Sequence, residues 1–439
     1  MWPVALTTPA LCRHAMSATL LYTASWLYSP GQTSIAGGAV AVRDGRIVEI
    51  GTAGELIAGY GRPTGDYPGC VIMPGFVNAH THLELTHFPA WRLRDGLDYH
   101  PHRFVDWIIQ MIKVRRGVTL EEACVSLKAG VNACLRAGTT SVGDIVTSAD
   151  LLSAYAGSSI GGRIYLELIG QDRQIFEPRL ARVMEAVRTV DGIRQPGLSP
   201  HAPYTLNSSL LADIATAARQ GDLPLSLHLA ESRDESDLLF DSSGPLAEEM
   251  YPLVGWQDFL PSPRRTTPAG FFDGGGLLGP STLAVHGVQL TPADAALLKE
   301  RGVTICLCPR SNERLAVGTA PVHLFKKLGI PLCLGTDSLA SNDSLSLWDE
   351  IRFALDCYRG ELGPEKLLEM ATKGGAAGIG LAGHVGSLEA GKRADFQLVE
   401  LDGVCTAERL LETGRVRGVC LEGVSVFGGA AEPVSGTEI

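Results

Sequence analysis

The sequence predicts an α/β protein: a (β/α)8 barrel of the TIM type, with a small β-sandwich domain formed from both chain ends. Three observations carry this reading. Eight apolar runs in the centre of the chain each end in a polar residue, helical segments separate several of them, and a β-rich piece lies at either end. The runs are Val71–His82, Thr140–Asp144, Arg163–Glu167, Gly197–His201, Leu223–Glu231, Thr282–His286, Val303–Arg310 and Ile330–Asp337. Strands alternating with helices predict a parallel sheet, and polar residues at strand C-termini place a site on that face of a closed barrel.

Residues 1–17 read as an extension ahead of a start near Met16. They are unlike a secretory signal: residues 1–12 hold Pro3 and Pro9 but no Lys or Arg, and Arg13 and His14 break any apolar core. Residues 18–72 are short strands and turns, with a hairpin over Ala39–Ile50 turning at Asp44-Gly45. Residues 73–385 form the barrel. One helix opens at Thr119 with Glu122 as its capping-box partner and stops at Gly138; another opens at Thr291-Pro292 and ends before Gly302. Phe104–Ile112 is apolar enough for a core helix or a dimer face. Residues 241–280, rich in Pro and Gly, read as an inserted loop or lid. Residues 386–432 complete the small domain, with candidate strands at Ala394–Val399 and Val416–Leu421.

Composition narrows the partners. The 439 residues carry a formal charge of −11, against the basic footprint of nucleic-acid or anionic-membrane binders. No apolar run reaches transmembrane length. Ten cysteines without a C-x-x-C pair suit a reducing cytoplasm, and Cys306 and Cys308 alternate like small core residues. Only eight residues are lysines, with none between Lys128 and Lys299.

His80 and His82, two apart on the first strand, face the same side, where they are either polar strand-end residues or a pair of metal ligands. His228, on the fifth strand, is a geometrically reasonable third nitrogen ligand, and Glu231 lies just past that strand's end. His286 ends the sixth strand, and Asp337 ends the eighth and can add a carboxylate. A barrel gathers these strand ends around one mouth, so their joint placement points to a metal centre.

Pro74–Glu84, His201-Ala-Pro-Tyr-Thr205, His228-Leu-Ala-Glu231, His286-Gly287, Cys308-Pro-Arg-Ser-Asn312 and Leu334-Gly-Thr-Asp-Ser338 together resemble the amidohydrolase superfamily, in its deaminase/chlorohydrolase branch. Gly386–Phe396 resembles that family's return into its β domain, and the likeness runs from about residue 18 to 430. Two-metal members of the superfamily use a modified lysine from the fourth strand. Here His201-Ala-Pro-Tyr204 stands there and no lysine is available, so the resemblance implies a single divalent ion, bound by His80, His82, His228 and Asp337. Three imidazoles and a carboxylate suit Zn²⁺, with Fe²⁺ or Mn²⁺ compatible. The implied reaction is hydrolysis at an amidine-like ring carbon, giving a lactam-type ring and ammonia. Glu231 would move the proton, His286 would orient the attacking water, and Asp337 could share its proton.

The resemblance implies an aminopurine nucleoside as substrate, with His201 reaching the ring or sugar. Glu84 is either a hydrogen-bond acceptor for base or ribose or a surface carboxylate. Arg310 is either the partner of a substrate carboxylate or half of a structural salt bridge. The motif set looks most like aminodeoxyfutalosine deaminases of menaquinone biosynthesis, whose substrate carries a carboxyphenyl group. S-adenosylhomocysteine, methylthioadenosine, adenosine and guanine deaminases and triazine chlorohydrolases share the metal pattern. A non-catalytic scaffold would be expected to have lost ligands, and none is missing. A homodimer is the family expectation, with no nucleic acid or membrane as partner.

Overall fold

The computed structural model describes residues 18–99, 101–190, 192–260 and 262–428, so the extension expected at 1–17 and the last residues of the 386–432 segment lie outside it. Two eight-stranded sheets organise the chain. The barrel strands are Phe76–Thr81, Thr139–Val146, Gly161–Leu168, Arg194–Pro200, Leu225–Leu229, Thr282–His286, Thr304–Leu307 and Leu332–Leu334. They pair in chain order, each parallel to the next. Every residue of the first three is buried, because helices cover one face and the barrel interior the other. That is why these strands read as continuous apolar runs rather than as an alternation.

The second sheet joins both chain ends. Its central strand, Gly65–Pro74, runs parallel to Leu20–Leu27 on one side and antiparallel to Phe396–Glu400 on the other. The hairpin of Gly38–Arg43 and Arg46–Thr52 turns at Asp44 (φ 51°) and Gly45 (φ 74°), the two positive φ values that a tight hairpin turn demands. Thr119 and Glu122 form the capping box of helix Leu120–Arg136, and Gly138 follows it at φ 85°.

Two expectations are refined. The apolar run Val71–His82 is not one strand: the chain leaves the small sheet at Pro74, passes Gly75 and enters the barrel at Phe76. Burial in both sheets leaves no polar break to mark the crossing. The apolar face of helix Phe104–Arg115 packs within its own chain, against Tyr204, Leu238, Leu246, Met250 and Tyr251. Its partners at 246–251 belong to the 241–280 segment, which contains a π-helical turn, Leu246–Met250, running into the short helix Tyr251–Leu253. Together these two elements cover the C-terminal mouth of the barrel.

A side chain at Gly75 would overlap that of Thr140 on the neighbouring strand. Gly75→Ala is expected to destabilise the fold by about 1–3 kcal/mol, the usual cost of overpacking. The readout is a lower urea midpoint at unchanged slope, and an unchanged midpoint would contradict the crossing described.

Candidate active site

Period-2 alternation along Phe76–Thr81 turns His80 inward at the mouth, and His82 follows at the strand's end. His228 comes from the fifth strand. One nitrogen of each of these three buried histidines lies within 4.8 Å of the others. Both ring nitrogens of His80 are buried without a hydrogen bond among the described residues. Such atoms are costly unless something takes up the lone pair. His228 Nδ1 lies 3.1 Å from the His201 carbonyl, so that nitrogen carries the proton and Nε2 presents a lone pair.

Asp337 completes the arrangement. Its Oδ1 sits 3.6 Å from His80 Nε2 and 3.7 Å from His82 Nε2. Oδ2 accepts from the hydroxyls of Ser311 and Ser341, at 2.7 and 2.6 Å, which leaves Oδ1 for the histidines. Three imidazoles and one oriented carboxylate match the donor set of a tetrahedral divalent-metal site. The surroundings hold two of these ligands neutral, together with their neighbours His201 and His286. Burial, reinforced by neighbouring imidazoles, holds His82 and His228 well below the usual histidine range, His201 at about 3 and His286 at about 4.

Glu231 and His286 face this cluster together. Glu231 Oε1 lies 3.6 Å from His286 Nε2, and His286 Nδ1 is bonded to Asn312 Oδ1 at 2.9 Å. Burial, with Asp337 and Glu235 nearby, pushes the Glu231 carboxyl well above its ordinary value, as suits a group that takes up and returns a proton. The turn that presents Glu231 is tight, with Ala230 at φ 50°. Glu235 holds it: its carboxylate accepts from the amides of Ala230 and Glu231, at 3.0 and 3.1 Å. Sequence reasoning did not single out Glu235. The available signal was Ser232 three residues earlier, which caps the helix Arg233–Asp241.

A cavity of about 490 Å³ opens from the cluster. His201 lines it, its ring centroid 4.7 Å from that of His228 and its Nδ1 3.0 Å from the Thr205 hydroxyl. Further out the wall is apolar, with Trp107, Ile108, Met111 and Ile112 from one covering element and Met250 and Trp256 from the other. Arg115, Arg116 and Arg179 also line it. Arg116 and Arg179 have no ion-pair partner among the described residues, and their bonds go to the carbonyls of Leu253, at 3.3 Å, and Ile169, at 3.4 Å.

Two predicted substrate contacts are not where the sequence placed them. Glu84 is buried outside the cavity wall, its carboxylate taken by the Thr147 amide (3.1 Å), the Thr147 hydroxyl (2.7 Å) and Arg115 (2.8 Å). It therefore bears on the cavity only through Arg115 and Thr147, which line it. Arg310 does not line the cavity either. It binds Asp343, Asn342 Oδ1 at 3.1 Å and, through its amide, Glu350 at 2.9 Å, which is the structural alternative. Asp144 serves the turn after His82: it accepts from the Leu83 amide at 2.8 Å and from the Tyr155 hydroxyl.

A metal-binding barrel with a buried carboxylate beside the cluster defines a hydrolase of the metal-dependent barrel class. The model of the Amidohydrolase family matches residues 71–426, and the chain belongs to that family, as an enzyme that hydrolyses carbon–nitrogen bonds, a deaminase. The chain is 31% identical to the aminodeoxyfutalosine deaminase of Deinococcus radiodurans, over 85% of this chain and 89% of the relative. It is 34% identical to the 5-methylthioadenosine/S-adenosylhomocysteine deaminase of Desulforudis audaxviator, over 82% and 80%. A crystal structure of an adenosine deaminase from Xanthomonas campestris with bound zinc superposes at a TM-score of 0.79, with 25% identity and 95% of each chain covered. The family is metal-dependent, and the three histidines supply the cluster it requires.

Arg310→Ala should cost about 1–3 kcal/mol of stability, because it strips a donor from the buried Asn342 oxygen and removes the cation 3.9 Å from buried Glu350. KM for an acidic nucleoside should stay within about twofold of wild type, since no cavity contact is lost. A large rise in KM without loss of stability would return Arg310 to the substrate.

Proposed function

We propose that this chain is a metal-dependent deaminase of an aminopurine nucleoside, and that 6-amino-6-deoxyfutalosine, an intermediate of menaquinone biosynthesis, fits the cavity best. One observation carries the reading: a polar end built from the histidine cluster, Asp337 and Glu231 opens into an apolar sleeve where two arginines have no ion-pair partner among the described residues. A nucleoside with an aryl carboxylate complements each part in turn. The curated relative from Deinococcus radiodurans supports the same assignment.

His80, His82, His228 and Asp337 would hold the ion, with Zn²⁺ suited and Fe²⁺ or Mn²⁺ compatible. When bound, such an ion makes water acidic enough to attack at neutral pH, bringing its pKa from 15.7 to about 7. The protein's own groups then manage the protons. Glu231 takes up the proton of the attacking water and passes it to the ring nitrogen and the departing amine. His286, oriented through Asn312, directs the water's approach, and Asp337 shares its proton. His201 lies against the ring or sugar.

A second reading, S-adenosylhomocysteine or methylthioadenosine, rests on the Desulforudis audaxviator relative. The arginines suit the carboxylate of the first compound but find no partner in the second.

The test is ammonia release by metal-loaded protein from aminodeoxyfutalosine, S-adenosylhomocysteine, methylthioadenosine, adenosine and guanine. The highest kcat/KM is expected for aminodeoxyfutalosine. A preference for S-adenosylhomocysteine selects the second reading, and no ammonia from any of them overturns both. Glu231→Gln should retain the metal and lower kcat by about 10²–10⁴-fold. Full activity in that variant would remove Glu231 from the reaction.

A further inference from the structure

Outside the reacting cluster, the buried carboxylates around the mouth are satisfied by protein donors, with one exception. Glu84 has Thr147 and Arg115, Asp144 has the Leu83 amide and Tyr155, and Glu235 has two backbone amides. Glu167 has none. It sits near the C-terminal end of the third barrel strand, Gly161–Leu168, with its side chain 6% exposed and lining the cavity. Among the described residues its one ion-pair contact is His201 Nε2, at 3.9 Å, beyond hydrogen-bond length, and the guanidiniums of Arg115 and Arg179 act on it only from further away. Arg115 is committed to Glu84, and Arg179 bonds the Ile169 carbonyl. A buried carboxylate without donors is expensive, so one held open to a cavity is built to receive donors from a ligand.

Its place along the cavity indicates which donors. Beside the histidine cluster the His201 ring stands with its centroid 4.7 Å from that of His228, Glu167 Oε1 lies 3.9 Å from His201 Nε2, and Arg115, Arg116 and Arg179 line the same cavity. A nucleoside lying in that cavity with its amine-bearing ring at the cluster has its sugar one ring further out and its 5′ substituent beyond. An ionised carboxylate only accepts hydrogen bonds and has two oxygens to do so. The group on such a substrate that offers two neighbouring, uncharged O–H donors is the vicinal diol of ribose.

We infer that Glu167 is the specificity-determining residue for the sugar, its carboxylate accepting from the 2′- and 3′-hydroxyls of a ribonucleoside. The inference rests on the nucleoside reading above and assigns the sugar subsite within it. It makes the site selective for ribose over deoxyribose and hostile to a phosphate at either position.

The experiment is a cycle of protein and substrate changes. Metal-loaded wild type, Glu167→Gln and Glu167→Ala are each assayed with the best ribonucleoside and with its 2′-deoxy and 3′-deoxy analogues. A hydrogen bond to a charged group is worth roughly ten- to a hundredfold. Wild type should lose about that factor in kcat/KM for each missing hydroxyl, chiefly through KM. Glu167→Ala should lose it with the ribonucleoside and lose little more with either deoxy analogue. Glu167→Gln, close in shape, provides the same comparison should the alanine variant fold poorly. If wild type is indifferent to the hydroxyls, or the variants discriminate as sharply as wild type, the assignment is wrong while the nucleoside reading stands. If wild type releases no ammonia from any nucleoside, the nucleoside reading fails and the sugar subsite fails with it.

Discussion

The His80 carbonyl oxygen accepts hydrogen bonds from the amides of Thr336 and Asp337, both at 3.1 Å, and on these bonds the barrel closes. The eighth strand, Leu332–Leu334, is only three residues long and meets the first through an isolated bridge, Thr81 to Asp337. Side chains reinforce the seam: Asn78 bonds Thr336 in both directions, and the Thr81 hydroxyl donates to the Asp337 carbonyl. Gly335 permits the approach, since a Cβ there would come within 2.8 Å of the His80 carbonyl. Closure and chemistry therefore share their atoms. The bonds that join the last strand to the first also hold the Asp337 carboxylate against His80 and His82, with Asp337 itself at φ 55°. An ion bound across that seam would stabilise the folded barrel by mass action as well as equip it.

Much of this architecture was legible in the sequence because it obeys short-range rules. Strand ends carry the polar residues, period-2 alternation paired His80 with His82, and capping residues at Thr119 and Thr291 marked helix starts. The failures have a common physical origin. Glu84 follows the histidine pair and Arg310 follows the seventh strand, but adjacency along the chain does not fix where a side chain points. Both were drawn to internal partners, Arg115 and Thr147 in one case and Asp343 and Asn342 in the other. The residues missed have the converse property. Arg115 and Arg116 stand at the end of the Phe104 helix and Arg179 within helix Arg173–Val187, and only the tertiary fold brings them to one cavity. The helix that read as either core or dimer face turned out to be cavity wall.

The cavity divides its tasks along its length. At the closed end, desolvation keeps imidazoles neutral and makes Glu231 a strong enough base to recapture a proton. At the open end the wall is apolar and cationic, in a chain whose net charge is −11. The chain is acidic in total, whereas three arginines are gathered at this one cavity. Glu167, 3.9 Å from His201, opens its carboxylate to the same cavity.

The most direct test of hydrolytic attack at a ring carbon is the binding of a purine nucleoside analogue whose carbon at the reacting position is tetrahedral and bears a hydroxyl. Metal-loaded wild type should bind it at least about 10²-fold more tightly than the planar product, as a site complementary to the transition state must. That preference should shrink in Glu231→Gln and on chelation. Equal affinity for the tetrahedral and planar compounds would contradict the account.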